Sequence, residues 1–195
     1  MRNPILVGER LYLRPLEASD AEQLAATYAT EVATFMERGR MPYSPLEFAR
    51  WIEQLHARQP PRNIDFAVCL KADDRFIGYN GLSDIDYVEH TAESESDFGP
   101  EDVRNRGYGT EAKHLLLEYA FDRLHLHAVH SFVWEPNARS AAALIKQGYR
   151  PAGRLKWNDV KAGVYRDTLV FDILRADWIA ARDAWRAGQA GAGGR

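Results

Sequence analysis

Residues 5–14 (ILVGERLYLR) are a mainly apolar run that reads as a first strand, and Pro15 closes it. Ser19 and Glu22 have the spacing of a capping box, after which Ala21, Leu24, Ala25 and Tyr28 recur on one helical face. A second box, Ser44 with Glu47 and with Pro45 at the first helical position, opens a helix bearing Phe48, Trp51, Ile52 and Leu55 on one side. Strand-like runs at 64–70 and 75–83 meet at Ala72-Asp73-Asp74 as an antiparallel hairpin, and 89–98 extends the meander. Ala112, Leu115, Leu116, Tyr119, Ala120 and Leu124 then return to the helical period.

The next strand, 129–134, is reached through that helix, so it is expected to run parallel to the strand before it. Asn137 is placed to cap the following helix and Gly148 to end it. Strands near 149–156 and 165–174 and a helix bearing Trp178 and Trp185 complete the pattern. The stretch 187–195 (AGQAGAGGR) is glycine-rich and poor in apolar residues, and is expected to be a disordered tail. The elements predict a single α/β domain with a mixed sheet over residues 1–186.

Residues 104–112 read RNRGYGTEA, which sets Arg104, Gly107 and Gly109 in an R-x-x-G-x-G spacing where the helix begins. A glycine turn at a helix start exposes backbone N–H groups that have no intrahelical partner, at the positive end of the helix dipole. Such a turn suits a phosphate, and glycine lets the backbone approach the anion with no Cβ between them. The same glycines also serve as a plain helix start. The third glycine of the dinucleotide fingerprint and the Lys-Ser/Thr pair of a P-loop are both missing.

Composition narrows the classes. At 195 residues and 46% apolar the chain can bury a sizeable core, and a net charge of −3 gives no general attraction to nucleic acid or anionic membrane. The single cysteine, Cys69, allows no intramolecular disulfide and fits a reducing compartment; within IDFAVCL it reads as a buried structural thiol. No apolar run approaches the roughly 18 residues of a membrane span and no signal-peptide core opens the chain, so a cytoplasmic protein is expected. His125, His127 and His130 lack the cysteines or carboxylates that would complete a metal site, and no metal is expected. Arg104 and Arg106 sit in no basic stripe with interleaved aromatics, which argues against nucleic acid.

Downstream of the glycine turn lie a helix, a strand, Asn137, Ser140, a short helix and Gly148-Tyr149. In this combination the chain resembles the acyl-CoA-binding half of the GNAT acetyltransferase superfamily. Residues 11–20 (LYLRPLEASD) resemble the first strand and helix start of its RimJ/RimL-type branch, and 165–174 (YRDTLVFDIL) the last long strand of that branch. The resemblance covers residues 7–180, nearly the whole chain. It implies a GNAT-type fold: a mixed, mostly antiparallel sheet with helices on both faces and a central parallel strand pair splayed around the cofactor. It also implies acetyl-CoA as co-substrate, its pyrophosphate held by Arg104, Asn105, Arg106, Gly107, Tyr108, Gly109 and Thr110, with Asn137 close by. The pantetheine arm would lie between the parted ends of 93–98 and 129–134.

The implied chemistry is direct attack of a primary amine on the thioester. Ser140 stands at the serine of N-x-x-S, where RimL-type enzymes place a hydroxyl near the sulfur. Many family members use a tyrosine seven residues after the asparagine; here that position is Leu144, which leaves Ser140 or water as proton source. Ser140 is equally a small first-turn helix residue, and Asn137 a plain cap. For the base, Glu93, Glu95 and Asp97 alternate with Ala92, Ser94, Ser96 and Phe98, so three carboxylates share one strand face. The row departs from the apolar residues most relatives carry there. It reads either as an acidic wall that recruits a cation and supplies a base whose pKa is raised by crowding, or as a solvated face. Glu135 is a further candidate base, and Asp167 of YRD reads as a structural hydrogen-bonding residue.

The acceptor expected on branch resemblance is a protein N-terminal amine, with a polyamine or amine-bearing antibiotic next because the acidic row favours cations. Its specificity is expected to reside in residues 30–61. A non-catalytic acyl-CoA-binding or sensing module is the alternative. Trp51, Trp178 and Trp185 read as core or subunit-interface residues, and an aromatic-bearing last helix makes a homodimer plausible.

Overall fold

The structure, a computed structural model, describes residues 1–30, 44–57, 59–99, 101–161 and 163–192. Part of the segment expected to carry acceptor specificity, residues 31–43 and 58, lies outside the described residues, as does the Tyr28 side chain.

The first strand-like run, residues 5–14, is two strands, not one. β1 (Leu6–Val7) and β2 (Leu11–Pro15) pair as a tight hairpin in which the Gly8 N–H donates to the Leu11 carbonyl at 2.9 Å. A Cβ on Gly8 would stand 2.6 Å from a Glu111 oxygen, so the turn closes because that residue has no side chain. The predicted Ser19 cap is also replaced. A 3-10 turn at Ala18–Asp20 leads into α1 (Ala21–Thr30), the Glu17 N–H donates to Asp20 at 2.8 Å, and Ser19 accepts from Arg2. The second cap forms as expected at α2 (Pro45–Ala57): the Ser44 N–H meets Glu47 at 2.7 Å and the Glu47 N–H meets the Ser44 hydroxyl at 3.4 Å.

β3 (Ile64–Leu70), β4 (Phe76–Asp86) and β5 (Thr91–Phe98) continue the antiparallel meander. α3 (Tyr108–Glu118) runs into a π-helical turn at Tyr119–Arg123 and returns the chain to β6 (Ala128–Trp134), which pairs parallel to β5 as the crossover required. α4 (Ala138–Lys146), β7 (Arg150–Lys161), β8 (Val164–Leu174) and α5 (Arg175–Ala192) follow. Among the described residues the strands form one eight-stranded mixed sheet in the order β1-β2-β3-β4-β5-β6-β8-β7. This is the single-domain GNAT fold, with helices on its faces.

Each sheet face has its own core. On one, Leu13, Val68 and Leu82 pack with Leu116 of α3, Leu144 of α4 and Trp178 of α5. On the other, Tyr12, Ala67, Cys69 and Tyr79 meet Leu24 of α1 and Phe48 and Ile52 of α2. Trp178 is fully buried in the first core, while Trp185 lies with its ring centroid 5.0 Å from that of the buried His114. α5 stays helical through Ala192, into the stretch expected to be disordered. Once Trp178 anchors the helix, alanine propagates it well enough to absorb exposed glycines such as Gly188, around which a Cβ would meet nothing within 4 Å. No helix among the described residues is long and apolar enough to cross a membrane.

Candidate active site

The sheet opens at its centre. β5 and β6 pair only through Thr91–Ala128, Ala92–Val129 and Glu93–His130; beyond them β5 stays with β4 to Phe98 and β6 with β8 to Trp134. At the root of this fork the Ser131 hydroxyl donates to the Ser94 carbonyl at 3.0 Å, and the Ser94 hydroxyl meets the Tyr149 hydroxyl at 2.7 Å. Burial pushes the Tyr149 phenol above its ordinary pKa. Side chains thus replace the missing ladder bonds where the strands part.

The glycine turn stands beside β5. Asn105 and Gly107 both hold positive φ, 60° and 80°, and Gly107 caps α3 without a side chain. The first intrahelical bond runs from the Glu111 N–H to the Gly107 carbonyl, so the N–H groups of Gly107, Tyr108, Gly109 and Thr110 have no partner within the helix. A Cβ on Gly107 would meet only Arg10, at 3.3 Å, and one on Gly109 the Phe98 ring, at 3.4 Å. Arg104 donates to the Gly99 carbonyl at 3.1 Å and holds the turn to the end of β5. A cradle of unpaired donors with cations around it fits a pyrophosphate. Asn80 joins this turn to the fork: its Nδ2 donates to the Ala112 carbonyl at 2.8 Å and its Oδ1 accepts from Ser96 at 2.7 Å.

The acidic row shares the face of α1 and α2. Asp97, Glu95 and Glu93 stand opposite Tyr79, Gly81 and Ser83, and all three are partly buried. Burial, then Glu95 and Asp84, push the Glu93 carboxyl up to about 7, against the pull of Lys113. Asp65 completes the row from β3, in register with Gly81; burial and Glu95 raise its carboxyl to about 8. On α3, burial pushes the Lys113 ammonium down to about 7, opposed by Glu95 and Glu93. Three groups pushed toward neutrality by burial, and linked to one another through Glu95, are the arrangement expected where protons are exchanged.

The remaining candidates divide. Asn137 caps α4, its Oδ1 accepting from the Ser140 N–H at 3.1 Å. Ser140 is half-buried in the first turn of α4, and its hydroxyl makes no hydrogen bond among the described residues. Glu135 is exposed and ion-paired with Arg154 at 2.7 Å, and Asp167 binds the same arginine as well as the Trp157 N–H, a structural clasp. Of the three histidines, His130 lies opposite Glu93. Sequence reasoning missed Arg10, Asp65, Lys113 and Glu111, and named Tyr149 only as part of the Gly148-Tyr149 motif. The one available signal was polarity inside apolar periods, as at Asp65 in IDFAVCL and Lys113 in α3.

Comparison with known proteins agrees with this geometry. Residues 10–150 match the family model described as an acetyltransferase (GNAT) domain. A probable N-acetyltransferase of Bacillus subtilis (strain 168), YjcK, is 30% identical over 179 residues, covering 89% of this chain and 98% of that protein. A GCN5-related N-acetyltransferase from Brucella melitensis superposes with a TM-score of 0.77 at 27% identity, over 96% of this chain and 86% of that one. Spermidine N-acetyltransferase from Vibrio cholerae, solved with CoA and spermine, gives a TM-score of 0.76 at 20% identity, over 87% of this chain and 98% of that one.

Proposed function

We propose, from the premise that this chain belongs to the GNAT acetyltransferase family and is an N-acetyltransferase using acetyl-CoA, that it acetylates a small cationic primary amine with Glu93 as general base. The observation that carries this reading is the raised carboxyl of Glu93, on the last residue paired before the fork opens. When bound, acetyl-CoA supplies an activated acetyl group. The turn from Arg104 to Thr110 holds its phosphates through the free N–H groups and the nearby cations, and the fork receives its arm.

The amine arrives as an ammonium ion, drawn by Glu95 and Glu93, and Glu93 takes its proton so that the nitrogen lone pair can attack the acyl carbon. The Ser96 N–H, two residues on from the fork-facing Ser94 carbonyl, faces the same side and suits the oxyanion. As the carbon–sulfur bond breaks, the Ser140 hydroxyl gives the sulfur a proton, and the second proton lost by the nitrogen returns through water to the serine. Glu135, tied to Arg154, is the weaker base. The acidic row favours a small cationic acceptor, and the Vibrio cholerae enzyme of similar fold holds spermine. A protein N-terminus, the acceptor of the RimJ/RimL-like reading, carries a single charge and makes less use of that row.

Thiol release from acetyl-CoA, followed with alkylamines, polyamines and peptides bearing free N-termini, tests the assignment. Turnover highest with the small cations is expected. Turnover confined to peptides would move the acceptor to the N-terminal class, and none with any amine would remove the reading.

A further inference from the structure

We infer that Arg10 is a positioning residue for the phosphates of the co-substrate: by holding the Arg106 carbonyl it turns the Gly107 N–H toward the anion. The inference rests on the reading of residues 104–110 as the pyrophosphate turn. Arg10 stands at the tip of the β1–β2 hairpin, far from that turn in sequence, yet its guanidinium spans it. Nη1 donates to the Arg106 carbonyl at 2.8 Å, Nε donates to Glu111 at 2.9 Å, and the plane lies 4.7 Å from the centre of the Tyr108 ring. Nη2 is buried, has no hydrogen-bond partner, and would lie 3.3 Å from a Cβ on Gly107. The guanidinium therefore holds residues on both sides of Gly107 and touches the glycine itself.

The consequence follows from peptide geometry. A trans peptide is planar, so the Arg106 carbonyl and the Gly107 N–H point in opposite directions. Anchoring the carbonyl to Arg10 on the inner side sends the N–H outward, on the side where Tyr108, Gly109 and Thr110 leave their own N–H groups free. Gly107 sits at a φ of 80°, and glycine permits rotation to either sign, so this peptide would otherwise be free to flip and present a carbonyl oxygen to the phosphate. The glycine that gives the anion its approach thus needs a lock from outside the turn.

The lock is itself braced. Glu111 is 2% exposed and accepts from the Arg10 and Leu11 N–H groups at 2.8 and 3.4 Å as well as from the guanidinium. On the other flank the Lys71 N–H donates to the Arg10 carbonyl at 2.9 Å, and the Lys71 ammonium to the Gly8 carbonyl at 3.1 Å. The hairpin tip is fixed from both sides, and the guanidinium with it.

Calorimetric titration of native protein, Arg10→Lys and Arg10→Met with CoA and with pantetheine, which lacks the phosphates, tests this. Lysine keeps a positive charge beside buried Glu111 but has no fork to reach Arg106 as well, so it decides the matter if the methionine variant does not fold. Both variants should bind CoA about tenfold more weakly and bind pantetheine unchanged, because one charge-assisted orienting bond is lost. Hydrogen exchange at the Gly107 amide should be slowed by CoA in the native protein and not in Arg10→Lys. Unchanged CoA affinity in Arg10→Lys, or equal weakening toward both ligands, would overturn the inference while leaving the phosphate turn intact. Equal affinity of the native protein for CoA and pantetheine would remove the phosphate turn itself, and Arg10 with it.

Discussion

The proposed base, Glu93, takes its character from its surroundings. Half-buried on β5, it is pushed up to about 7 first by loss of water and then by Glu95 and Asp84, with Lys113 pulling the other way. A base works deprotonated, so kcat/KM for an alkylamine acceptor should rise as pH increases through about 7 and level above it. The acceptor's own ionisation lies near 10 for such amines, which keeps the two limbs apart. Glu93→Gln should lose the lower limb and about 100-fold in kcat. A lower limb that survives in the variant would assign the base to another group. The alternation that puts Glu93, Glu95 and Asp97 on one face was legible in eight residues of sequence, because a strand has a fixed period. The place of Asp65 in that row was not, because it reaches Glu95 only through a ladder that places it opposite a glycine on the intervening strand. Arg10 was invisible for the same kind of reason: its partner Glu111 is 101 positions away, and no local pattern pairs them.

At the scale of elements, the turn before α3 and the end of β5 form one surface. The Phe98 ring stands 3.4 Å from the place a Gly109 Cβ would occupy, so any larger side chain there must push into β5 or out over the free N–H groups. Gly109→Leu should therefore lose CoA affinity by about 100-fold or more while the helix still forms, since leucine is a better helix residue than glycine. Titration with CoA reads the loss, and circular dichroism the retained fold. Native-like affinity would show that the cofactor passes elsewhere. Long periodic elements were legible: α2, α3, α4 and the parallel β5–β6 pair follow from caps, spacing and crossover geometry. The misses were at boundaries. The apolar runs on either side of Gly8 read as one strand and so hid the β1–β2 turn, Asp20 took over a cap that Ser19 seemed to offer, and an alanine-rich end propagated a helix that composition argued against.

For the whole molecule, acetyl-CoA bound at about 100 times its Kd should stabilise by roughly 2.7 kcal/mol. In a chain of this length that corresponds to a rise of about 5–10 °C in Tm, read by a thermal scan with and without ligand. No rise at saturating concentrations would contradict binding at a preformed site. Much of that stabilisation should spread beyond the cleft, because Asn80 ties α3 to β5 through β4, and Glu111 ties α3 to the first hairpin. The second of these ties also imposes an order on biosynthesis. Arg10 leaves the ribosome long before Glu111 is made, and the brace proposed for the phosphate turn forms only when the two meet. Until then the Arg10 guanidinium lacks its carboxylate, and a ribosome stalled anywhere between them would display a chain without that brace.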